Sequence, residues 1–90
     1  MAGPALEKIF KIGEIYKAKK TFMSGPTVFV AGETLRFELD YFSHWDDANV
    51  YQFHSETDGQ TNTWWVFLGL SPNDPSTDWR QHFELIGFRQ

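Results

Sequence analysis

The side chains able to do chemistry are few, and they gather in two runs. His44-Trp45-Asp46-Asp47 and His54-Ser55-Glu56-Thr57-Asp58 are the densest groups of metal-ligand types. Imidazole with carboxylate suits zinc or another divalent ion. If residues 34–42 and 49–56 pair as a hairpin, His44 lies in its loop and His54 near the far end. The two would then stand about 20 Å apart at roughly 3.3 Å per residue, too far for one ion. Both runs therefore read as polar loops and turns, and no metal or cofactor is expected. Asp78, His82 and Glu84 form a third set, with Asp78 and His82 at i, i+4. A surface helix pair worth a few tenths of a kcal/mol explains that spacing. Glu38 and Asp40 mimic a glycosidase pair by distance alone, yet a general acid needs a desolvating pocket and these two alternate along a wet face.

Other chemistries lack their residues. There is no cysteine, so thiolate zinc sites, cysteine nucleophiles and disulfides are excluded together. No Gly-x-Ser-x-Gly elbow, phosphate loop or dinucleotide fingerprint is present. The chain is expected not to be an enzyme. The alternative is a small metal-dependent or hydrolytic enzyme using His44, His54 or His82.

The aromatics stand out: nine Phe, four Trp and three Tyr in 90 residues. A short chain needs the large buried area they supply. Tyr16, Phe22, Phe29, Phe37, Phe53, Phe67 and Phe83 are expected in the core. Trp64 and Trp65, adjacent on one strand, must point to opposite faces. Trp45 sits in a polar loop beside Asp46 and Asp47, where an exposed tryptophan is a typical anchor for a partner peptide. The blander reading folds Trp45 back over the core.

Charge narrows the partners. The net charge is −4, but residues 1–20 hold five Lys and two Glu, whereas residues 21–90 hold three Arg and ten acids. Phosphate binding needs clustered cations. Only Lys17, Lys19 and Lys20 cluster, with Lys8 and Lys11 upstream. An RNA contact through these lysines beside Tyr16 is a weaker alternative, and nucleic acid is not the expected partner. Charges interrupt the apolar residues of the first twelve positions, so no signal-peptide core is seen. The longest apolar run, Trp64 to Leu70, is seven residues, too short to span a bilayer. A cytoplasmic protein with no membrane partner is expected.

These side chains must be positioned by short strands. Gly and Pro punctuate the chain at Gly13, Gly25-Pro26, Gly32, Gly59, Gly69, Pro72 and Pro75. Strands are expected over 14–22, 27–30, 34–42, 49–56 and 63–68. In the third, Leu35, Phe37, Leu39 and Tyr41 alternate with Arg36, Glu38 and Asp40, which predicts one buried and one wet face. The fifth is apolar on both faces and is expected centrally in the sheet or across a covered seam. Asp58-Gly59 is a strong hairpin signal between the last two strands. Residues 4–12 have the spacing of a short helix, with Leu6, Ile9 and Phe10 on one side. Asp74-Pro75 matches a helix start, and Trp79, Phe83 and Ile86 follow at i, i+4, i+7. A C-terminal helix over 75–86 is expected to cover the sheet. The expected fold is one domain over 1–90, mainly β: a small antiparallel barrel of about five strands with one covering helix.

The segment Val30-Ala31-Gly32-Glu33-Thr34-Leu35-Arg36-Phe37 resembles the turn and strand of SH3-like barrels, and Gly13-Glu14-Ile15-Tyr16 with Phe22 resembles their opening strand. Trp64-Trp65 and Ser71-Pro72-Asn73 are similar to the tryptophan pair and proline-asparagine element of signalling SH3 domains. The alanine-leucine-tyrosine opening of those domains is absent. Residues 13–86 as a whole look more like small uncharacterised bacterial domains with an SH3-like core. The resemblance implies a binding module for a protein or peptide. Tyr41, Trp45, Tyr51 and Trp64 would floor its groove, and Asp46 and Asp47 would form an acidic rim selecting a basic ligand.

Overall fold

Alternation does make residues 34–43 a strand, but its faces switch midway. In the computed structural model, which describes residues 9–67 and 78–88, β4 (Thr34–Ser43) pairs with β5 (Ala48–Ser55) with an irregularity between Phe37 and Leu39. Phe37 faces Phe53 and Leu39 faces Gln52, so Glu38 is one residue too many on its strand. Such a bulge reverses every side chain that follows. Leu35 and Phe37 are buried, whereas Leu39 and Tyr41 are 43% and 42% exposed. The expectation that all four share a buried face is corrected. Asp40, directly opposite the buried Tyr51, is on the core side.

Around this hairpin the chain builds one sheet. β1 (Glu14–Ala18), β6 (Thr61–Phe67) and β7 (Phe83–Phe88) join β4 and β5 in the order β6-β5-β4-β1-β7, with antiparallel neighbours. β2 (Phe22–Ser24) and β3 (Thr27–Phe29) form a separate hairpin through Gly25, whose φ of +55° favours glycine. That hairpin packs on β6, where the Trp65 backbone N–H donates to Ser24 Oγ at 2.8 Å. β6 and β7 remain the two edges of the sheet, so the expected closed barrel does not form. β6 is therefore an edge strand rather than a central one. Among the described residues no helix is long and apolar enough to cross a membrane.

The expected C-terminal helix is also corrected. Asp78 caps a single 3-10 turn, Trp79–Gln81, by accepting from the Arg80 N–H at 3.0 Å. The chain then extends into β7. Phe83 is 1% exposed, but Ile86, which helical spacing would bury, is 50% exposed. Phe83 and Leu85 also fit a spacing of two, and β1 offers a free edge of N–H and C=O groups to satisfy. Ladder bonds to β1 overrode the helical reading. The Asp74-Pro75 start and the Ser71-Pro72-Asn73 element lie outside the described residues, as do positions 4–8 of the expected first helix. Residues 9–12 are not helical.

Phe10 does the covering expected of a C-terminal helix. Its ring lies at the centre of the core, 4.9 Å from Tyr16, 5.1 Å from Phe53 and 5.9 Å from Phe83 between centroids. Phe29, Leu35, Phe37, Tyr51 and Trp64 close around it.

Candidate functional site

Register after the bulge decides which aromatics meet. Residues directly opposite on neighbouring strands share a face. One row across β4, β5 and β6 is Tyr41, Val50 and Trp65, and the next row toward the turn is Ser43, Ala48 and Phe67. Val50 and Ala48 are fully buried and form a floor. Tyr41 on β4 and Phe67 on β6, 42% and 43% exposed, flank them, with the half-buried Trp65 beside Phe67 on β6. Phe67 stacks on Trp65 at 6.4 Å with rings 10° from parallel. This outer face is an apolar strip across three strands.

The β4–β5 turn adds the most exposed large hydrophobic side chain among the described residues. Trp45 is 99% exposed. Ser43 Oγ donates to Asp46 Oδ2 at 2.8 Å and accepts from the Asp46 N–H at 3.3 Å, which fixes the turn. Asp47 follows with φ of +54°, a left-handed conformation that aspartate tolerates better than most residues. The turn thus holds Trp45 away from the core, with Asp46 and Asp47 exposed beside it.

Of the six candidate binding residues, Tyr41, Trp45, Asp46 and Asp47 lie at one end of the β4–β5 hairpin. Tyr51 and Trp64 are paired on the core face, 0% and 2% exposed, and lie away from them. Trp65 and Phe67 take their place. Sequence alternation marks both as outward once Trp64 is set inward, but only the register with Tyr51 decides which tryptophan that is.

The titratable candidates do not converge. His44 stands against the Phe42 ring at 4.8 Å in the turn, while His54 pairs with Arg36 and Thr61 at the other end of β5. Among the described residues no three His, Asp or Glu side chains form a metal-sized cluster. Glu38 meets Arg36 at 3.7 Å, and Asp40 is on the core side of the bulge. Lys17, Lys19 and Lys20 are exposed, with Lys19 Nζ donating to the Arg80 carbonyl at 2.8 Å.

His82 is the one buried imidazole, 6% exposed, with its ring 4.5 Å from Phe22 and 5.5 Å from Trp64. Its Nδ1 lies 3.0 Å from the Asp78 carbonyl, not from the Asp78 carboxylate that i, i+4 spacing suggested. Burial lowers its pKa first, and the nearby Lys20 charge adds to that, against the pull of Asp78. A depressed folded value favours the neutral ring, so the stability it lends is present above the ordinary value of about 6.5 and is lost as pH falls through the folded one. Unfolding midpoints measured from pH 7 down to pH 4 should fall less steeply in His82→Phe than in the parent. An unchanged slope would show that His82 does not govern acid sensitivity.

No protein-family model matches the chain, and no curated protein matches it. A solved structure does match: an integron cassette protein from the mobile metagenome of Vibrio cholerae, at TM-score 0.63 and 16% identity, over 84% of this chain and 87% of that one. At that identity the likeness extends to fold and no further. This chain is a small all-β domain similar in fold to that cassette protein.

Proposed function

We propose that the protein is a non-enzymatic recognition domain that holds a basic peptide segment against its outer β4–β5–β6 face, with Trp45 as the anchor. The observation that carries this reading is the 99% exposure of Trp45 on a turn fixed by Ser43 and Asp46. A lone exposed aromatic is ordinary on any surface. Here the exposed Tyr41 and Phe67 stand on the outer face next to the same turn, and grouped exposed apolar side chains mark binding surfaces. Tryptophan and tyrosine are also the residues that most often dominate binding energy. The choice of a basic partner follows from charge. Asp46 and Asp47 flank the anchor, and residues 21–90 hold ten acids against three Arg. Acids at the rim steer and select cations more than they tighten binding. The hydrolytic reading has no comparable support, because His44, His54 and His82 stand apart, and the RNA reading rests on three exposed lysines alone.

The test uses two synthetic peptides of alternating charged and apolar residues, one built on Arg and Leu and one on Glu and Leu. The Arg peptide should bind saturably, read by isothermal titration. Trp45→Ala should weaken it by about 2 kcal/mol or more, roughly thirtyfold. Asp46→Asn with Asp47→Asn should flatten its salt dependence. Equal binding of the two peptides, or an unchanged affinity in Trp45→Ala, would sink the proposal.

A further inference from the structure

A second feature lies where the β2–β3 hairpin crosses the edge of β6. Between them is a cavity of about 170 Å³. Its walls are aromatic, with Phe22, Trp64 and Trp65 among them, and Gly25 and His82 also line it. A cavity of about 150 Å³ is enough to hold one benzene ring, so this one fits a single six-membered ring.

Two polar side chains, His82 and Trp65, stand on those walls. A backbone carbonyl only accepts, so the 3.0 Å contact to Asp78 places the His82 proton on Nδ1 and leaves Nε2 as a lone-pair acceptor. No described residue donates to Nε2. Trp65 Nε1, a donor only, is buried with no hydrogen-bond partner. Its indole lies over Gly25, where an added Cβ would come within 3.3 Å of Nε1. Glycine there keeps the wall thin. The buried, unmet Trp65 donor is costly in isolation, and a ligand group that both donates and accepts satisfies it and the His82 Nε2 lone pair together. A hydroxyl does both. Burial keeps His82 neutral near pH 7, so the acceptor is available.

We propose that this cavity is a binding site for a hydroxyarene, a single aromatic ring whose hydroxyl donates to His82 Nε2 and accepts from Trp65 Nε1 while the ring packs on Trp64 and Phe22. The site shares Trp65 and Phe67 with the edge of the peptide face, but its polar atoms suit a different class of ligand.

Phenol and benzene are the probes, titrated into the full chain and followed by two-dimensional amide and indole NMR. Phenol should shift the Trp65 indole N–H saturably and bind about tenfold tighter than benzene, the difference expected for a ligand hydrogen bond made in an apolar site. His82→Phe should bring phenol to the benzene level. The comparison of the two probes on the unaltered chain needs no variant to fold. No saturable shift with phenol, or equal affinity for phenol and benzene, would overturn the assignment.

Discussion

Phe83→Ala is expected to remove about 3–5 kcal/mol of stability, the usual cost of truncating a buried aromatic. Domains of this kind have only about 5–15 kcal/mol in total. At about 4–8 °C per kcal/mol for a chain of this length, Tm should fall by roughly 12–40 °C. Phe83 is 1% exposed and sits 5.0 Å from Phe53, 5.3 Å from Trp64 and 5.5 Å from Phe29 between centroids. It also anchors β7 to β1, opposite Ala18. Two controls separate a strand from a helix here. Gln81 is exposed, so Gln81→Ala should stay within about 0.5 kcal/mol. Ile86→Ala should cost under about 1 kcal/mol, because a strand leaves Ile86 half in water. A helix lying on the sheet would bury Ile86 with Phe83, and the two variants would then unfold at similar midpoints. Urea denaturation of the three variants at one temperature decides it.

The same strand shows what the sequence could not disclose. Phe83-Glu84-Leu85-Ile86 satisfies spacings of both two and nearly four, and nothing local chooses between them. The choice lies in β1, some 65 residues earlier, whose second edge needs hydrogen-bond partners. The bulge at Glu38 is equally silent. Glutamate carries no signature for an unpaired position, yet one extra residue moved Leu39 and Tyr41 from the core to the outer face. Local signals were legible where local energetics decide. Gly32 and Gly59 occupy positive φ, at +86° and +77°, as their turns suggested, and Asp58 Oδ1 accepts from the Gln60 N–H within the hairpin turn. The aromatic richness did indicate a core built on rings, but not that Phe10 would centre it. For the candidate site, the sequence puts Trp45 in a polar loop beside Asp46 and Asp47 but leaves open whether the ring folds back over the core, and only the turn geometry decides that it does not. Tyr51 and Trp64 were misplaced because their facing depends on pairing across strands rather than on either strand alone.

Glu33→Ala should cost about 2–4 kcal/mol, although Glu33 touches neither candidate site. Its carboxylate is buried at the start of β4 and is satisfied entirely by neighbours. Ser55 Oγ donates to Oε2 at 2.6 Å, Asn62 Nδ2 donates to both oxygens at 3.2 Å, and the Val30 N–H donates to Oε1 at 3.2 Å. Ser55 Oγ in turn accepts from the Thr57 and Asp58 N–H groups at 3.2 and 3.3 Å, so the cluster ties the turn before β4 to the β5–β6 turn. Alanine at position 33 leaves two buried side-chain donors without an acceptor, each at about 1–3 kcal/mol. The loss should be local first: amide exchange should quicken at Thr57 and Asp58 before it does in the core strands. Removing the stranded donors as well should recover part of the loss, because a fully apolar replacement carries no unmet group. The triple variant Glu33→Ala, Ser55→Ala, Asn62→Leu should therefore be less destabilised than the sum of its single changes. Strict additivity would mean that the three side chains act independently and that Glu33 is held by its backbone turn alone. A neutral Glu33→Ala would remove the cluster from any account of how β4 and the β5–β6 hairpin are held in register.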